Sequence, residues 1–202
     1  MRNVFERFAK RTSTRFFKGD PSAAPDDALI VHDAHSRSPL IPKNRGIHIF
    51  RDPFALLLSH VRYHTATTSR GEPSHAILME DGRTYGEHLN ERTTLGDKAM
   101  FELDHVAGRS LRTMLAWDYD NPGYRNYPLD LFFSAETAEG VLADLLARFE
   151  HFAGGEEDLR IALLHFVATA THIRDSHGTR RAGEERAVDL FPDEVVQRVY
   201  ET

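Results

Sequence analysis

An α/β fold is what the sequence predicts, with a central parallel sheet flanked by helices in a single domain over residues 1–202. Three observations predict it. Short β-branched runs occur at Ala28-Leu29-Ile30-Val31-His32 and Gly46-Ile47-His48-Ile49-Phe50. Apolar residues at helical spacing follow them, and glycine, proline and aspartate mark the joins. A length of 202 residues is enough to bury one core, and 41% hydrophobic and 28% charged residues are ordinary for a globular chain.

The elements follow in order. Residues 2 to 17 are basic and amphipathic, with Val4, Phe5, Phe8, Phe16 and Phe17 on offer to a core, which predicts a helix with one apolar side. A helix lying on a membrane surface is the other reading. Gly19 to Asp27 reads as a loop, and the continuous apolar run from Ala28 fits a strand of a parallel sheet covered on both faces. A second loop with Pro39 and Pro42 leads into the strand Gly46 to Phe50. Asp52 is placed to cap a helix whose first position is Pro53, where a missing amide hydrogen costs nothing. Phe54, Leu57, Leu58 and Val61 then begin its apolar face.

From Tyr63 to Arg83 polar and small residues dominate, interrupted by Gly71, Pro73 and Gly82, which predicts a mobile or substrate-facing segment. Thr93 to Leu115 regains helical texture, Trp117 to Tyr124 is rich in turn residues, and Tyr127 to Phe133 predicts a strand with Pro128 near its start. Ser134 caps the next expected helix, which carries Val141, Leu142, Leu145, Leu146, Phe149 and Phe152 and ends at Gly154-Gly155. Further helices are expected over Leu159 to Ile173 and Pro192 to Tyr200, joined by a basic, glycine-containing loop.

Composition narrows the function. No apolar run approaches the roughly 18 residues of a membrane span, and the N-terminal residues lack the apolar core of a secretory signal. With no cysteine the chain has neither disulfides nor thiolate metal sites; a cytoplasmic location is the default expectation. A net charge of -6 argues against nucleic acid held on a basic surface, although Arg51, Arg180 and Arg181 can focus a local field on a nucleotide. No Gly-x-Ser-x-Gly elbow and no His-Glu-x-x-His signature occur. His60 and His64 stand four apart and His165 and His172 seven apart, so each pair can share a helix face, but no nearby acidic residue completes a ligand set and no metal is expected. Gly108 reads as a packing or flexible point, and the charge runs Glu156-Glu157-Asp158 and Glu184-Glu185-Arg186 as solvated faces or helix starts.

The most informative stretch is Gly46 to His60. A strand ends at Arg51, a capped helix starts at once, and Ser59 lies seven residues beyond Asp52, on the same side of the helix as the cap. Arg51 and Ser59 can therefore address one anion from two levels, or Arg51 can be a surface or ion-pair arginine. The order strand, Arg-Asp-Pro, then serine and an aromatic or histidine-bearing helix resembles the 3′-phosphate-binding segment of sulfotransferases that use 3′-phosphoadenosine 5′-phosphosulfate (PAPS). The later helices, the Trp117 region and the loop Gly178-Thr179-Arg180-Arg181-Ala182-Gly183 before the last helix are similar to the small bacterial members in the same order.

The resemblance implies a P-loop-NTPase-like sulfotransferase fold with PAPS as sulfuryl donor and no metal. It implies that Arg51 and Ser59 hold the 3′-phosphate, that Arg180, Arg181 and Gly183 close over the nucleotide, and that His32, or His35 beside it, acts as base. The chain departs from the pattern in three places. The glycine-rich loop for the 5′-phosphosulfate is absent, so that Met1 to Arg11 resembles the rest of the helix that follows it and an N-terminal truncation is expected. Pro128-Leu129-Asp130-Leu131 keeps only the end of a Tyr-Glu-Asp-Leu strand, and the glycines around Arg180 stand five apart. The expected function is sulfuryl transfer to a hydroxyl or amine of a small-molecule, carbohydrate or lipid acceptor, impaired in this chain. The alternative is a catalytically silent nucleotide-binding or protein-interaction domain of the same ancestry. The sequence sets neither acceptor nor oligomeric state.

Overall fold

The computed structural model describes residues 2–18, 29–31, 46–67, 73–148, 155–177 and 186–202. Along the chain these form α1 (Arg2–Thr12), β1 (Phe16–Lys18), β2 (Leu29–Val31), β3 (Gly46–Phe50), α2 (Pro53–Ala66), α3 (Tyr85–Glu91), α4 (Leu95–His105), α5 (Ala107–Leu115), β4 (Tyr124–Pro128), α6 (Ala135–Arg148), α7 (Glu156–His177) and α8 (Asp193–Tyr200). The architecture is mixed α/β, mostly helical, with parallel strand pairing. The chain divides into two compact units, one of Met1–Phe50 with Asp118–His172, the other of Arg51–Trp117 with Ile173–Thr202.

In the first unit the described strands form two parallel pairs, where the sequence predicts one central sheet. β1 pairs with β2 from Phe16↔Leu29 to Lys18↔Val31, and β3 with β4 from Gly46↔Tyr124 to Phe50↔Pro128. The expected N-terminal helix stops early because Ser13 takes a left-handed conformation (φ 57°), which breaks the helical path and frees Phe16 and Phe17 to enter β1. β4 begins and ends earlier than the sequence predicts. Pro128 has no amide hydrogen for a longer ladder, and Leu129–Phe132 turns into a 3₁₀ helix instead. The core collects Phe8 from α1, Leu145 from α6 and Leu159 from α7 around Phe132, with Ile47 and Ile49 of β3 packed against it. Each such fully buried side chain contributes about 1.5–3 kcal/mol.

In the second unit Asp52 caps α2 as predicted: its Oδ1 accepts the Ala55 amide at 2.8 Å, and Pro53 fills the first turn. Phe54, Leu57, Leu58 and Val61 pack with Ala99 and Leu103 of α4, Leu111 of α5, Phe191, and Val195 and Val199 of α8. The helical stretch predicted from Thr93 to Leu115 is two helices. The chain bends at Val106 (φ −133°, ψ −62°), and at Gly108 a Cβ would stand 2.1 Å from the Leu103 carbonyl oxygen, so only glycine allows this close approach.

The polar segment after Tyr63 holds more structure than the sequence predicts. α2 runs on to Ala66, Pro73–Ala76 is a 3₁₀ turn, and α3 follows with a reciprocal cap between Thr84 and Glu87. Among the described residues no helix is long and apolar enough to cross a membrane.

Candidate functional site

Two features of α2 bear on function, and both lie in the second unit. The first is the predicted anion segment. Arg51 is half-buried immediately before the Asp52 cap, and Ser59 is buried two turns along the helix, about 10 Å down the axis. The Asp52 carboxylate that caps α2 offsets the positive end of the helix dipole, so Arg51 is the cation that this segment offers an anion.

The second feature is a buried polar cluster one turn farther on. α2 carries His60 and His64 at the i, i+4 spacing that puts them on one face, α4 supplies Glu102, α3 begins with Tyr85, and the 3₁₀ turn adds Ser74 and His75. Glu102 is completely buried, His75 is 2% exposed and His64 5%. The Glu102 Oε1 atom accepts a hydrogen bond from the Tyr85 hydroxyl and lies 2.6 Å from His64 Nδ1. His64 Nδ1 therefore carries the shared proton, and its Nε2 faces Ser74 Oγ at 3.5 Å. Glu102 Oε2 has no hydrogen-bond partner among the described residues; His60 Nδ1 is 3.8 Å from it. His75 Nε2 is likewise enclosed without a hydrogen-bond partner among the described residues.

The backbone makes room for this cluster. A Cβ at position 86 would stand 2.9 Å from His75 Nδ1, so Gly86 lets α3 approach the ring. The rings of His64 and Tyr85 meet edge to face at 5.8 Å, and Phe101 stacks on Tyr85 at 5.1 Å, which closes the apolar side. His60, His64 and Glu102 offer ligand atoms that all lie within 4.8 Å of one another. Sequence spacing left the two histidines without an acidic third member; the fold supplies it from a helix far along the chain.

The other predicted site residues, His32, His35, Arg180, Arg181 and Gly183, lie outside the described residues, as does the side chain of His172; His165 is exposed. An open depression of about 440 Å³ is lined by Arg92, Asp97, Met100, Phe101, Asp104 and His105. Its two carboxylates oppose its one arginine, which suits it poorly to an anion.

The first unit has its own perturbed groups. His48 of β3 lies 3.2 Å from Asn126 Oδ1 and packs with Phe50 and Tyr119; burial pushes its imidazole below the usual range, and the Asn126 hydrogen bond opposes part of that. Asp144 accepts hydrogen bonds from the Tyr127 hydroxyl and from Arg125 Nε at 3.1 Å, with Arg148 beside it. The Tyr127 bond foremost, then the two arginines, hold its carboxyl below the ordinary value, while burial and Asp144 push the Tyr127 hydroxyl well up.

Compared with protein-family models, with curated proteins and with solved structures, the chain matches none.

Proposed function

We propose that the chain is a sulfotransferase-related protein of P-loop-NTPase-like ancestry that binds PAPS through its 3′-phosphate, with Arg51 and Ser59 as the phosphate-holding residues. One observation carries the reading: a parallel strand, β3, runs directly into Arg51 and an Asp52-capped, Pro53-started helix that bears Ser59. That is the local construction the Arg-Asp-Pro resemblance implies. It presents the Arg51 guanidinium, at the end of a strand and beside a helix start, to an anion.

In the proposed reaction the acceptor hydroxyl or amine attacks sulfur, and the bond from sulfur to the bridging phosphate oxygen breaks. The acceptor proton passes to His32, or to His35, and 3′-phosphoadenosine 5′-phosphate leaves. Arg180, Arg181 and Gly183 close over the nucleotide, and the acceptor is a small alcohol, carbohydrate or lipid.

Calorimetry with 3′-phosphoadenosine 5′-phosphate tests the assignment. Wild type binds, and Arg51→Ala loses roughly 10- to 150-fold, the equivalent of about 1.5–3 kcal/mol for a charge-assisted hydrogen bond. Failure of the wild type to bind removes the nucleotide reading, and equal binding by both removes Arg51 from the site. Transfer of labelled sulfur from PAPS to an acceptor separates an enzyme from a silent nucleotide-binding relative.

A further inference from the structure

The buried cluster between α2 and α4 has chemistry that a phosphate-binding helix does not need. We infer that His60, His64 and Glu102 form a divalent-cation site of the zinc class, which ties α2 to α4 beneath the proposed phosphate segment. Two imidazoles and one carboxylate are a donor set that zinc takes in proteins, whereas magnesium and calcium prefer oxygen alone. The ligand atoms already lie within 4.8 Å of one another. Two ligands held at 2.0–2.1 Å by one tetrahedral ion stand about 3.3 Å apart. The 3.8 Å between His60 Nδ1 and Glu102 Oε2 is thus too long for a hydrogen bond but only about half an ångström from that spacing.

The hydrogen bonds within the cluster account for only half of the carboxylate. Tyr85 and His64 both address Oε1. Oε2, on a fully buried residue, has no hydrogen-bond donor among the described residues, and the neighbouring His75 Nε2 also lacks a partner there. Buried polar atoms are as a rule satisfied, and a cation shared by His60 and Glu102 satisfies Oε2. Entry of the ion displaces the proton on His64 Nδ1 to solvent, and Tyr85 remains as the hydrogen-bond donor that fixes the carboxylate. His60 keeps 20% of its side chain exposed, which gives the ion a path from solvent.

The test is titration of the chelator-treated, untagged full-length chain with Zn²⁺ and, separately, with Co²⁺, whose visible absorption reports coordination by nitrogen and oxygen at low coordination number. One equivalent is expected to bind. His60→Ala, at a partly exposed position, keeps the native circular dichroism and loses at least about 100-fold in affinity. Glu102→Gln loses a similar factor, whereas His105→Gln, elsewhere on α4, binds as wild type. Absence of stoichiometric binding by the wild type overturns the inference, and so does wild-type affinity in folded His60→Ala.

Discussion

Replacing Glu102 by alanine should be the most damaging single substitution in the second unit. Glu102 is completely buried, and the side chain of its partner His64 keeps only 6% exposure at a separation of 2.6 Å. Removing one member of a buried, hydrogen-bonded pair of this kind costs about 3–5 kcal/mol, because the other is left without its partner away from water. At about 2–4 °C per kcal/mol for a chain of this size, Tm falls by about 6–20 °C. The assay is urea and thermal unfolding with a chelator present, so that no cation contributes, on wild type, Glu102→Ala, His64→Ala and the double variant. The two single effects should exceed the double effect by at least about 1.5 kcal/mol, since each already removes the shared bond. A cost under about 1 kcal/mol for Glu102→Ala, or effects that add to within about 0.5 kcal/mol, would mean that Glu102 and His64 do not act as a pair.

Gly108→Ala should destabilise by about 1–3 kcal/mol, because the new methyl has to displace a backbone oxygen 2.1 Å away; unchanged unfolding would mean that the bend at Val106 yields freely. His48 is held neutral by burial, so above its unfolded value of about 6.5 it is neutral in both states and neutral to stability. Below that pH the unfolded chain takes up the proton first, and stability falls as pH drops through the folded value. Urea midpoints at pH 7.5 and 5.5 should therefore differ less in His48→Gln than in wild type, and identical slopes would exclude His48 as a source. Asp144, with its carboxyl held low, contributes stability that is complete above the ordinary carboxylate range and is lost as pH falls through its folded value. Asp144→Asn should cost about 1 kcal/mol near neutral pH and flatten acid unfolding, read from the midpoint of an acid titration followed by circular dichroism.

Local signals in the sequence were legible where one residue type decides the outcome. The Asp52 cap, Pro53 at the helix start and the strand before Arg51 appear where their stereochemistry predicts them, and Gly108 has the packing role that its place in a helical stretch suggested. The strand ends were harder to read. Ser13 breaks the first helix with a backbone conformation that serine seldom adopts, and Pro128 closes a strand that the apolar pattern of Leu129 to Phe133 would have continued. The cluster around Glu102 had no signature to find. His64 and Glu102 are 38 positions apart, His75 comes from a segment whose polar composition suggested a mobile or substrate-facing stretch, and Tyr85 opens a helix just beyond it. A buried carboxylate in an otherwise amphipathic helix was the one available clue: the glutamate follows Phe101 and precedes Leu103, both of them core residues.

The pairing of β3 with β4 has a consequence for how the chain is made. Gly46 meets Tyr124 only after the whole of α2, α3, α4 and α5 has been synthesised, a wait of roughly 4–16 s at about 5–20 residues per second. Throughout that interval β3 leaves the ribosome as an unpaired edge, and the apolar side of α2 lacks Val195 and Val199, which are translated later still. Neither unit is a continuous stretch of chain: the first is complete only at His172, after most of the second has been translated, and the second only at Thr202. A nascent chain stalled at Trp117 should accordingly be digested by trypsin along its length and be held by chaperones, whereas the released protein resists both.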